Sequence, residues 1–183
     1  ILCGMGVPMG LQYSITAIGS VILQTSVNSL GSVAVAAVTA AGKVSMFFSC
    51  PFDAMGSTMA TYGGQNVGAK KLDRLGKGLF SCSILGIGYA LAAFAVLFFA
   101  GDVFTGLFVN EGGAKIIADA RQMLVIMSAF YIPLAFVNII RFMIQGMGFS
   151  AFAVLAGVCE MVARALAGVF LVLLQVEADE ILV

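Results

Sequence analysis

The chain is 183 residues long, 61% hydrophobic and only 10% charged, with nine basic residues, nine acidic residues and no histidine. Soluble domains average roughly 45–50% apolar and ~25% charged residues, so a chain with mean hydropathy +1.10 cannot cover a water-facing surface of this size. Zero net charge provides no basic field for nucleic acid, and the missing histidines remove the commonest general base.

These numbers describe an all-α integral membrane protein. A helix crossing a ~30 Å hydrocarbon core needs ~20 mainly apolar residues, and charge-poor windows bounded by turn signals give about five spans. The first runs from Val7 to Val27, with Pro8 placed for a first turn, and ends at Asn28-Ser29-Leu30-Gly31-Ser32. The second, Val33 to Thr61, contains Lys43, Pro51 and Asp53; the third, Gly78 to Ala100, carries no charge. The fourth covers Gln122 to Ile144 and the fifth Ser150 to Leu174. These runs are too long and too uniformly apolar for the period of two of a membrane barrel. Cys3, Cys50, Cys82 and Cys159 lie far apart in apolar runs, without the clustering of a metal site or a disulfide framework. The opening Ile-Leu-Cys has neither an initiator Met nor a charged n-region, as expected of a fragment.

The charges between spans set an orientation. Residues 62–77, read as a loop, hold Lys70, Lys71, Arg74 and Lys77 against Asp73. Residues 101–121, also read as a loop, hold Asp102, Glu111 and Asp119 against Lys115 and Arg121. The end, Glu177-Ala178-Asp179-Glu180, is acidic. The basic segment is therefore expected in the cytoplasm, together with the N-terminal end, and the acidic ones outside.

Ionisable groups at bilayer depth cost ~2.5–3.5 kcal/mol on insertion scales and usually face a bundle interior or a cavity. In the first span Gln12, Thr16, Ser20, Gln24 and Asn28 recur at every fourth position, on one slowly drifting face. That stripe is either a wet cavity wall that binds a ligand or interhelical hydrogen-bond glue. In the second span Lys43 and Asp53 stand ~15 Å apart along one helix, so each needs another partner, water or the membrane interface. Pro51 deprives the Phe47 carbonyl of its helical donor and favours a bend near Asp53, making that carboxylate a cation site or a hydrated interfacial group. In the fourth span Asn138, Arg141 and Gln145 share a face after Pro133. In the fifth, Glu160 and Arg164 have the i, i+4 spacing of a helical ion pair. Gly4–Gly10 has the wrong glycine spacing for a dinucleotide fingerprint and Gly76-Lys77-Gly78 lacks the rest of a phosphate loop, so no enzyme site and no cofactor are expected.

Four segments together carry a family resemblance. Thr61-Tyr62-Gly63-Gly64-Gln65-Asn66-Val67-Gly68-Ala69 resembles the Gly-Gln-x-x-Gly-Ala cytoplasmic loop of the multidrug and toxic compound extrusion (MATE) family, carried here by Gly64, Gln65, Gly68 and Ala69. Gly6–Gln12 resembles the start of that family's seventh helix. Arg141–Gly148 resembles the end of its tenth, and Glu160–Arg164 its eleventh. The resemblance implies a twelve-helix antiporter of two six-helix lobes that exports organic cations against entering protons or sodium. Residues 1–175 would then be helices seven to eleven of the C-terminal lobe, and 176–183 an acidic tail or truncated end. The partners would be the lipid bilayer, a small cationic substrate and the missing N-terminal lobe, in the plasma membrane. Some relatives carry acids on helices seven and ten; here the first span has Gln12 and the fourth has no acid, leaving Asp53 and Glu160 as candidate ion-coupling groups. Gln12, Thr16, Gln24 and Asn28, faced by Asn138, are the expected substrate-binding residues, with Glu160 and Arg164 bracing the lobe. The alternatives are a flippase for lipid-linked or polysaccharide precursors, which needs a more cationic cavity, and a non-transporting membrane scaffold.

Overall fold

The computed structural model describes residues 2–28, 31–107, 114–149, 152 and 155–166. Its elements are α1 (Leu2–Asn28), α2 (Ser32–Gly68), α3 (Asp73–Gly106), α4 (Ala114–Ala129) and α5 (Tyr131–Gly146), followed by a helical stretch at 155–166. Among the described residues there is no strand. The chain divides into two compact units, one of Ile1–Val35 with Ser150–Val183, the other of Ala36–Phe149. The acidic tail and residues 167–174 of the expected fifth span lie outside the described residues.

The helices outrun the expected spans. Residues 62–77 are not a loop: α2 continues to Gly68 and α3 starts at Asp73. Gly64, Gln65 and Gly68 therefore belong to the last turns of α2, and Ala69 begins the turn. The helix stops because Lys70 adopts a left-handed conformation (φ 57°). The Lys71 N–H then donates to the Asn66 carbonyl at 2.9 Å, and the Lys70 N–H to that of Val67 at 3.0 Å. This pair of bonds satisfies carbonyls that a helix end would leave free. The 101–121 segment is likewise largely helical, since α3 runs to Gly106 and α4 starts at Ala114. Charge-poverty marks only the part of a helix immersed in hydrocarbon, and a helix continues past it wherever its backbone bonds remain intact.

The fourth expected span is two helices, bent by 50° between α4 and α5. Pro133 has no N–H to offer the Ala129 carbonyl, and its ring crowds that carbonyl. Phe130 (φ −89°, ψ 6°) leaves the helical region, its N–H donating back to Met127 at 3.1 Å in a tightened turn. Pro51, by contrast, is carried inside α2 without ending it.

The core of the Ala36–Phe149 unit is lined by small residues, including Ala37, Ala40, Ala41, Ala90 and Ala93, around Phe52 and Tyr131. Phe52 meets the rings of Tyr89 and Tyr131 edge-on at 5.1 and 5.5 Å. Outward, the pattern inverts that of a soluble protein: Phe99 is 83% exposed and Phe47 71%. Large exposed apolar surface of this kind is expected where the solvent is hydrocarbon.

Candidate functional site

In the Ala36–Phe149 unit α2 and α5 cross at unusually close range. Gly56, Ala60 and Gly64 recur at every fourth position of α2, a spacing that lets helix backbones approach in membranes. A Cβ at Gly56 would lie 2.7 Å from the Phe142 ring, and one at Gly64 would lie 2.9 Å from the Gly146 carbonyl oxygen. Gly146 itself lies against the Ala60 backbone, with no room for a side chain.

That crossing brings Asn138 of α5 to Asp53 of α2, whose Oδ1 accepts from Asn138 Nδ2 at 3.1 Å. Asn138 is 7% exposed, whereas Asp53 lies on the exposed face of α2. From Asp53 that face continues through Ser57, Thr61 and Gln65, each four residues on and each exposed. The Ser57 hydroxyl donates to the Asp53 carbonyl oxygen at 2.9 Å, and the Thr61 hydroxyl to that of Ser57 at 3.2 Å. A carboxylate with an amide donor and open oxygen sites can take up a proton or a cation. Sequence reading singled out Asp53 but missed the stripe that follows it. The i, i+4 recurrence of polar residues, already visible in the first span, was the available signal.

The sequence-derived residues of α1 divide. Gln12 is 3% exposed and packs on Gly157, where a Cβ would meet its Cγ at 2.9 Å. Thr16 offers its carbonyl oxygen to Arg164 Nη1 at 3.3 Å, and Ser20 accepts from the same guanidinium through its hydroxyl. Arg164 also pairs with Glu160 at 2.6 Å, both side chains about one-third exposed. The first half of the stripe thus joins α1 to the 155–166 stretch. Further along, Gln24 and Asn28 are exposed and bonded to each other, Nε2 to Oδ1, at 3.1 Å. Asn138 belongs to the other compact unit from these α1 residues, and its observed partner is Asp53. Of the two carboxylates, Glu160 is engaged by a cation and Asp53 by a neutral amide. Among the described residues no group of three or more potential metal-ligating side chains occurs.

Helices α2 and α3 are each long and apolar enough to cross a bilayer, and the bent α4–α5 pair adds a third candidate span among the described residues. Together with the exposed aromatics and the polar groups held between helices, they define a polytopic helical membrane protein. Residues 8–170 match the MatE family, and the chain belongs to that family. Among solved structures it is similar to a chain described as a MOP superfamily transporter from Pyrococcus furiosus Vc1 (DSM3638), with TM-score 0.75 and 18% sequence identity, over 93% of this chain. The match covers 42% of that chain, so the present one spans less than half its length. No curated protein matches the chain.

Proposed function

We propose that this chain is part of a secondary active antiporter, in which Asp53 takes up the coupling proton or sodium ion and small organic cations are exported by alternating access. The observation that carries this reading is the Asp53–Asn138 pair. An intramembrane carboxylate is costly, so one that lies on an exposed face and heads a stripe of hydroxyl and amide groups fits a water-accessible path. Its negative charge suits a cation, and loading or releasing a proton there changes the charge of the site by one. Gln24 and Asn28 are the exposed polar groups of α1 suited to contact substrate, while Gln12, Thr16, Glu160 and Arg164 brace their own unit. The family and the partial coverage of the solved relative support a second lobe that completes the transporter. The basic turn at residues 69–72 and its flanks support a plasma-membrane orientation with this turn, and the start of α1, in the cytoplasm.

The test is gradient-driven efflux of a fluorescent aromatic cation by the full-length protein in vesicles. Asp53→Asn is expected to reduce the stimulation by an imposed proton or sodium gradient by about tenfold or more, equivalent to ~1.4 kcal/mol of coupling. Undiminished stimulation by both gradients would overturn the assignment of Asp53.

A further inference from the structure

Between α2 and α3 lies an apolar groove of about 500 Å³, lined by Pro51, Met55 and Tyr62 on one side and Gly78, Ser81 and Leu85 on the other. Tyr62 stands at one end. Its ring packs on Gly78, and its hydroxyl donates to the Arg74 carbonyl oxygen at 3.0 Å, tying the last turns of α2 to the start of α3. Beyond that end the charge changes abruptly. Lys70, Lys71, Arg74 and Lys77 are all exposed, with Asp73 the one acid among them. The ion pairs of Arg121 with Asp102 and of Arg164 with Glu160 involve none of these four. Along α3, positions 74, 78, 81 and 85 fall on one face by 4-3-4 spacing, so Arg74 sits in register with the groove wall, and Lys77 is adjacent to Gly78. From Arg74 to Leu85 the helix rises ~16 Å, a length suited to most of an acyl chain. The groove borders apolar surface, with Phe80 69% and Leu85 65% exposed.

We infer that this groove and its basic rim form a binding site for an anionic phospholipid, its headgroup phosphate against Arg74 and Lys77 and one acyl chain along α2 and α3. The charge complementarity selects this occupant: a zwitterionic lipid fills the groove equally well but gains nothing from Arg74 and Lys77, which lie in a rim of four cations and one acid. Basic residues beside a membrane surface attract anionic headgroups by ~1 kcal/mol each, which corresponds to about fivefold in relative occupancy per residue. The inference rests on the α2–α3 hairpin and is independent of the role proposed for Asp53.

The test is lipid retention by the full-length protein. The protein is extracted from bilayers holding equal amounts of phosphatidylglycerol and phosphatidylcholine with the same acyl chains, and bound lipid is counted by native mass spectrometry. The wild type is expected to keep phosphatidylglycerol about fivefold or more over phosphatidylcholine. Arg74→Gln with Lys77→Gln should bring that ratio close to one with an unchanged melting temperature. Ser81→Phe, which fills the groove, should lower retention of both lipids. Equal retention by the wild type, or a preference that survives neutralisation of both cations, overturns the site. Displacement of the bound lipid by soluble glycerol phosphate at matched concentration overturns the part played by the acyl groove.

Discussion

Asp53 and Glu160 are both carboxylates on membrane helices, and their surroundings assign them different work. Glu160 has a guanidinium at 2.6 Å that is itself anchored to α1 through Thr16 and Ser20. Removing one member of such a pair takes this charged partner from the other, while removing both removes the two charges together. Arg164→Gln is therefore expected to destabilise the protein by roughly 1–3 kcal/mol, and the double change Glu160→Gln with Arg164→Gln by less. Thermal unfolding in detergent of the two variants checks the order. The pair was legible in the sequence because i, i+4 neighbours on a helix meet whatever the rest of the chain does. The Asp53–Asn138 bond was not, since 85 residues separate its partners and no local rule links them.

The helix ends and crossings follow from backbone chemistry. Lys70 holds a left-handed φ of 57°, a conformation that costs a side-chain-bearing residue ~1–2 kcal/mol and glycine nothing. Lys70→Gly is expected to raise stability by roughly 0.5–1 kcal/mol after the added freedom of the unfolded chain is counted. A measured loss of stability would contradict the capping role. The same glycine-to-alanine change should have opposite signs at two helical positions. At Gly146 a methyl group would collide with the Ala60 backbone across the α2–α5 crossing, costing about 2 kcal/mol or more by overpacking. At Gly88, where nothing lies within 4 Å, the change should stabilise by roughly 0.5–1 kcal/mol. Melting temperatures of the two variants decide it. Gly146→Ala also moves α5 away from α2 and is expected to weaken the Asp53–Asn138 contact. Pro133 was visible in the sequence, yet the 50° bend it causes became clear only once Phe130 was seen to leave the helix. A proline permits several outcomes, as the uninterrupted passage of α2 through Pro51 demonstrates.

At the scale of the whole molecule the question is which exposed faces meet water and which meet lipid. Cys50 is exposed and lies three residues before Asp53, whereas Cys82 is buried. If the Asp53–Ser57–Thr61–Gln65 face lines an aqueous path, a membrane-impermeant maleimide should label Cys50 in the folded protein and leave Cys82 unmodified until denaturation. Cys50 unreactive in the folded protein but labelled on denaturation would place this face against lipid. Membrane class, helical content and family were determined by the sequence alone, because they depend on composition, on apolar run length and on short contiguous motifs. The tertiary structure decided the rest: that Gln12 and Thr16 join helices, that the basic segment is a tight turn between two long helices, and that Asp53 receives Asn138. Each of these depends on how helices rotate and how closely they approach. In the α2–α5 pair that is set by Gly56, Gly64 and Gly146 acting together across a distance no local pattern spans.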